Sequence, residues 1–259
     1  MKKLAEIRIQ QKEFIENLRN ASAEFIKSVD TAEIETVLLS GSVARGDYFP
    51  GGFCGMVDLI VMRRPGSIVI ATELFGENQE PDIPFHCVRF GDVEFQILFT
   101  DFISPERFKS FDEARKFSIL ESAILYDKNG SYESALSEIK KIQTAECAEL
   151  LKSRLGYIHY LLSDYKKDRW RRRGAFLQLH ENLNTAIRLA VSALYYKNNS
   201  YASAEDRQLY YSLSLDRLPE NYEPLIIDLK SQRSDSEENY DHREDLFRKT
   251  LLAFLEDSK

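Results

Sequence analysis

Few residues in this chain can staple or punctuate a fold. Its three cysteines, Cys54, Cys87 and Cys147, are odd in number and widely spaced, with no C-x-x-C pair. That excludes a disulfide framework and a zinc knot of that type, and fits free thiols in a reducing cytoplasm. Eleven glycines and seven prolines in 259 residues are too few for a collagen-like or low-complexity chain. No apolar run approaches the roughly 20 residues a membrane helix needs, and the start, MKKLAEIRIQQKEF, lacks the apolar core of a secretory signal. Positive charge is in deficit as well: 35 Lys and Arg against 42 Asp and Glu give a net charge of −7 and a pI of ≈ 5.3. This argues against a nucleic-acid partner, duplexes above all, and leaves room for a local basic patch. What is present, 43% hydrophobic and 30% charged residues, is the composition of a core-forming globular protein of one large domain or two modest ones.

Hydrophobic spacing divides the chain. Leu4, Ile7, Phe14, Leu18, Ala21 and Phe25 recur at three- and four-residue steps and predict a helix over about 3–28. Strands are expected at Thr36–Leu39 and Val57–Met62, with a Gly-rich stretch between them. Ser67–Leu74 reads as a strand or a helix start, and Gly76–Pro84 as a loop. Phe85–Phe90 and Val93–Thr100 read as a hairpin turning at Gly91-Asp92. Ser104-Pro105 has the N-cap and N1 chemistry of a helix start. Beyond it only Ala123–Tyr126 reads as a strand. Helical patterns are expected over about 131–165, 169–197, 203–216 and 241–257, with a polar loop at Ser231–Asn239. The expectation is an α+β fold: a mixed sheet with flanking helices over residues 1–130, then an all-helical bundle over 131–259.

The chemistry concentrates in LLSGSVARGDYFPGGFCGMVDLIVM, Leu38 to Met62. Gly41 allows close approach of a ligand to the backbone. Ser42 offers a hydroxyl and an N–H in a turn suited to anions. Arg45, one turn on, has the charge to pair with a phosphate. Residues 56 and 58 share a strand face, and a carboxylate there could hold a divalent metal against a triphosphate. This pattern resembles the nucleotidyltransferase superfamily, the DNA polymerase β-like fold that includes aminoglycoside and small bacterial nucleotidyltransferases. Gly41-Ser42 with Ala44-Arg45-Gly46 matches the family's loop. Asp58 matches its strand aspartate, Glu94 its later carboxylate, and Asp127-Lys128-Asn129-Gly130 the end of its catalytic domain. The motifs cover residues 30–130. A looser likeness of Ala193-Leu194-Tyr195 and Asn198–Tyr201 to the second domain of several members extends into the helical half.

The resemblance implies transfer of a nucleoside monophosphate from an NTP, ATP in the first instance, to a small-molecule or protein hydroxyl, with release of pyrophosphate. It implies Mg²⁺ held by Asp58 and Glu94, and Gly41, Ser42 and Arg45 on the nucleotide. One position departs from it: Met56 stands where the family has the first of two paired aspartates, and a thioether is a poor ligand for Mg²⁺. Three readings follow. One ion is held by Asp58 and Glu94; a loop acid, Asp47 being nearest, supplies the missing ligand; or the chain binds nucleotide without transferring it. Plainer readings stand beside these. Asp47 is a turn or cap residue, Arg45 pairs with a structural carboxylate, Glu94 faces solvent, and Gly51-Gly52 and Gly55 only shape the loop.

In the helical half His180, Asn184 and Arg188 fall in one row at four-residue steps. The row either faces a cleft between the two domains and holds the acceptor or base, or belongs to an internal hydrogen-bond network. The cluster DRWRRR, Asp168–Arg173, supports a third reading, an RNA-directed or toxin–antitoxin role, against a solvated, acid-paired turn. His86, His159 and His242 belong to no constellation visible in the sequence.

Overall fold

A computed structural model of the chain describes residues 4–49 and 55–257. Gly51, Gly52 and Cys54 lie outside the described residues. The fold is α+β, and the chain divides into two compact units, Met1–Ile142 and Gln143–Lys259. The division falls inside a long helix rather than at residue 130.

The first unit opens with α1 (Leu4–Gln10) and α2 (Lys12–Ser28), parted only at Gln11 where one helix was expected. Then come β1 (Ile34–Ser40), a short α3 (Gly41–Arg45) and β2 (Gly55–Arg63). The ambiguous stretch after β2 resolves into α4 (Ala71–Phe75), and β3 (His86–Phe90) and β4 (Val93–Asp101) form the expected hairpin. Next are α5 (Pro105–Lys109), α6 (Glu113–Leu120) and β5 (Ala123–Asp127). Ser104 caps α5 by accepting from the Arg107 N–H at 3.2 Å, with Pro105 at the first helical position. The five strands form one mixed sheet in the order β3-β4-β2-β1-β5, in which only β2 and β4 are parallel.

Alternation decides what each sheet face does. Val57, Leu59 and Val61 of β2, with Val37, Leu39, Phe95 and Ile97, pack on Ile15, Leu18, Phe25 and Ile26 of α2. The Phe25 and Phe95 rings stack with centroids 4.4 Å apart. Met56 and Asp58 therefore belong to the opposite face, as do Ser40 of β1 and Glu94 and Gln96 of β4. A hydrogen bond between the Ser40 and Ser118 hydroxyls, 3.3 Å, ties α6 to that second face.

After β5 the chain turns through Asn129 (φ 60°) and Gly130 (φ 69°) into α7 (Ser131–Leu161). The Asp127 carboxylate accepts from the N–H groups of Tyr132 and Glu133 at 3.0 and 2.9 Å, so the end of the sheet caps the helix. In the second unit α8 (Asp164–Arg171) stops short of Gly174 (φ 61°), so the helix expected over 169–197 begins only at Phe176. α9 (Phe176–Lys197) packs against α8 and against α10 (Gln208–Ser212), α11 (Tyr222–Lys230), α12 (Glu237–Phe247) and α13 (Ala253–Glu256). A π-helical turn, Arg248–Leu252, joins α12 to α13. The helix expected over 203–216 shrinks to α10, and α12 starts earlier than expected because Ser236 accepts from the Asn239 N–H at 3.2 Å as its cap. Among the described residues no helix is long and apolar enough to cross a membrane.

Phe95→Ala removes the ring that seats α2 on the sheet. Denaturant unfolding should show a loss of about 3–5 kcal/mol, the range for truncating a buried aromatic, with far-ultraviolet circular dichroism unchanged.

Candidate functional site

The corner between β1 and β2 carries the first group of sequence-selected residues. β1 ends at Ser40, which lies opposite Asp58 in the antiparallel ladder. Gly41 then turns the chain with φ 66°, a conformation that L side chains avoid. A Cβ built on Gly41 would sit 2.0 Å from Asp58 Oδ2 and 2.9 Å from its Cγ. Glycine is therefore required twice over, for the backbone and for the carboxylate pressed against it. The structure brings Gly41, Ser42 and Asp58 together at one point.

The far end of α3 is held from outside. Arg19 donates to the carbonyls of Val43 (3.1 Å) and Ala44 (2.9 Å), and Arg8 donates to that of Arg45 (3.0 Å). These are the acceptors a helix end leaves unpaired, and cations suit them. Sequence reasoning passed over Arg8 and Arg19, whose only signal is a place on the polar side of the N-terminal helices. Arg45 and Asp47 lie against each other. They form an ion pair, Nε to Oδ1 3.4 Å, with side chains only 8% and 4% exposed. Glu121 belongs to the same group: burial raises its pKa above the ordinary carboxylate value, Arg45 and Arg8 oppose the rise, and the Asp47 charge adds to it. Arg45 is thus turned to a carboxylate of its own loop, and Asp47 to Arg45.

Register decides what lies near Asp58. In the parallel β2–β4 pair Met56 is level with Glu94, and Asp58 with Gln96. Asp58 and Glu94 are thus diagonal neighbours on one face, their Cα atoms about 8 Å apart from strand spacing and rise. Glu94 also has Arg89 opposite it on β3, Oε2 to Nη2 3.9 Å. Met56 is half-buried, and its N–H donates to the Tyr48 hydroxyl at 3.1 Å. Among the described residues no three His, Cys, Asp or Glu side chains converge as a metal cage. The oxygen donors of Asp58, Glu94, Gln96 and Ser42 are hard, however. Such a set fits Mg²⁺, which is commonly held by one or two carboxylates together with the phosphates it accompanies.

The row on α9 divides. His180 is fully buried and Asn184 half-buried, and both turn to Arg243 of α12; Arg188 is exposed and takes no part. Arg243, itself 1% exposed, donates to His180 Nδ1 (2.8 Å), Asn184 Oδ1 (2.6 Å) and the Leu229 carbonyl (2.7 and 3.0 Å). Guanidinium can only donate, so Nδ1 accepts and the His180 proton sits on Nε2, which donates to the Ser236 carbonyl at 3.2 Å. Leu229 lies in the last turn of α11, where carbonyls lack helical partners and a cation is favoured. His180 and Asn184 thus belong to a hydrogen-bond network centred on Arg243. Burial pushes the His180 pKa below the ordinary histidine value, and Arg243 adds to this against the hydrogen bond to Ser236 and the charges of Asp235 and Glu181.

No protein-family model matches the chain, and no curated protein matches it. Among solved structures it is similar to a crystal structure of a nucleotidyltransferase-like protein from Exiguobacterium sibiricum 255-15. The two are 13% identical, the match covers 94% of this chain and 73% of that one, and the TM-score is 0.40.

Gly41→Ala should destabilise the first unit and displace Asp58, seen as a lowered melting temperature; an unchanged one would contradict the contact. The His180 network adds a pH dependence. A lowered folded-state pKa means that the unfolded chain binds more protons. Its contribution is complete above about pH 6.5 and is lost as pH falls through the lowered folded value. Between pH 6.5 and 5, His180→Gln should flatten the stability–pH slope by up to about 1.4 kcal/mol per pH unit, one proton's worth. His86, lowered chiefly by burial, supplies a second slope of the same sign that remains.

Proposed function

We propose that the first unit binds a nucleoside triphosphate, ATP in the first instance, as its Mg²⁺ complex, and transfers the nucleoside monophosphate to a hydroxyl acceptor. The observation that supports this is the contact of Asp58 with Gly41. It sets a carboxylate directly against the glycine corner at the end of β1.

Asp58 would hold the ion, with Glu94 diagonal to it. When bound, Mg²⁺ would neutralise phosphate charge and polarise the reacting phosphorus. Gly41, lacking a side chain, lets the Asp58 carboxylate lie against the backbone, and the Ser42 hydroxyl is within the same turn. The acceptor oxygen bonds to the α-phosphorus, the α–β bridging P–O bond breaks, and its electron pair leaves with pyrophosphate. The acceptor proton passes to Glu94 or to water. Arg8 and Arg19 act on no substrate atom; they keep α3 in place.

Met56 favours a second reading, a nucleotide-binding protein without transfer. It stands level with Glu94 where a second carboxylate would complete a two-ion site, and Glu94 itself has Arg89 beside it.

Calorimetric titration with a non-hydrolysable ATP analogue, in Mg²⁺ and then in EDTA, tests the first reading. Binding should require Mg²⁺, and Asp58→Asn should weaken it by about tenfold or more, on the scale of disturbed metal ligation. Binding indifferent to both changes would support the second reading, as would pyrophosphate release seen only after Met56→Asp. No binding of ATP, GTP, CTP or UTP would refute both.

A further inference from the structure

The cluster DRWRRR and the tyrosines before it are not used by the proposed reaction. Between Asp164 and Arg173 the sequence has six cations and two carboxylates, in a chain whose net charge is −7. Lys167 is bound to Glu244 and Asp164, and Arg171 to Glu237 and Asp241. Lys166, Arg169, Arg172 and Arg173 take no carboxylate partner among the described residues. The acid-paired turn expected from the sequence is realised only at Arg171.

Exposed aromatic rings are interleaved with these cations. Tyr157 and Tyr160, one turn apart on α7, are 50% and 49% exposed and stack at 5.9 Å with planes 18° apart. Lys166 of α8 lies 4.4 Å above the Tyr160 ring and so joins the two helices in one surface. Tyr165, the next residue back, is 71% exposed. Arg169 and Arg173 flank Trp170 at 5.0 and 5.7 Å from the ring. Within α8, helical spacing sets Lys166 beside Trp170 and Tyr165 beside Arg169, and Arg172 and Arg173 follow directly after its last residue.

The geometry points to a docking surface for single-stranded nucleic acid on α7 and α8 of the second unit. Cations supply contacts to successive phosphates, and tyrosine faces supply platforms on which unpaired bases stack. A membrane surface is the less suitable occupant, because α8 has Trp170 as its single residue suited to insertion, flanked by Arg169 and Arg173, and no leucine, isoleucine or phenylalanine beside it. A duplex hides its base faces and would leave the tyrosines idle. Ring stacking and phosphate contact do not depend on the 2′-hydroxyl, so RNA and DNA strands should bind alike. The inference is independent of the nucleotide reading of the first unit.

Trp170 is the only tryptophan in the chain, so its fluorescence reports from within the surface. The full-length protein would be titrated with a twelve-nucleotide single-stranded oligoribonucleotide, its DNA equivalent and the matching duplex. Both single strands should quench Trp170 saturably, with log K falling against log[salt] at a slope of about −2 to −3 for four phosphate contacts. Tyr157→Ala with Tyr165→Ala should weaken binding roughly fivefold or more. Arg169→Ala, Arg172→Ala and Arg173→Ala together should abolish it, the melting temperature staying that of the parent in both variants. Absence of saturable quenching at 50 mM salt would overturn the proposal. So would equal affinity for the duplex, indifference to the tyrosine substitutions, or a response confined to vesicles of anionic phospholipid.

Discussion

The parallel pairing of β2 with β4 is the constraint on which the first unit rests. Nine consecutive residue pairs, from Gly55–Val93 to Arg63–Asp101, run without a break. The chain reaches this arrangement by leaving β2 through α4, laying down β3 at the sheet edge and returning as β4. Because strand side chains alternate, a slip of one residue would send Val57, Leu59 and Val61 away from α2 and turn Asp58 into the core. The apolar set on α2 therefore fixes which residues share the opposite face. The antiparallel β1 on the other side of β2 then delivers Ser40 opposite Asp58, and Gly41 beneath its carboxylate.

The arginines of the two units illustrate how local charge is settled in an acidic protein. At the α3 corner Arg8 and Arg19 meet backbone carbonyls and Arg45 meets Asp47, so three guanidinium groups serve one short helix and its exit. Arg243 is likewise held by neutral acceptors, a helix-end carbonyl, an imidazole and an amide. The arginines around Trp170 differ in lying exposed, stacked on a ring.

Strands were legible wherever one face alternated against the other, as in β1, β2 and the β3–β4 hairpin. Helix ends were less so. Pro224 hid α11, although it sits in the first turn, where its missing N–H leaves no bond unmade. Gly174 divided a pattern that runs on through Trp170. Within the site, the nearness of Gly41 and Asp58 could be expected from the motif. Arg45's turn toward Asp47 could be weighed but not decided, since either partner satisfies the same charge. The α9 row was visible as spacing, while its meaning depended on Arg243, 63 residues beyond His180, and no local pattern announces so distant a partner. The diagonal placing of Glu94 relative to Asp58 required the strand register, which the sequence does not state.

Arg243 also bears on how this chain can change over generations. Its guanidinium is shared among His180, Asn184 and the end of α11, and loss of the arginine would leave the buried His180 Nδ1 and the Leu229 carbonyl without that donor. A substitution at any one position is costly alone, whereas replacing the whole set with well-packed apolar residues need not be. Positions 180, 184 and 243 should therefore drift through sequence space together or not at all, as a single inherited unit spread over two helices.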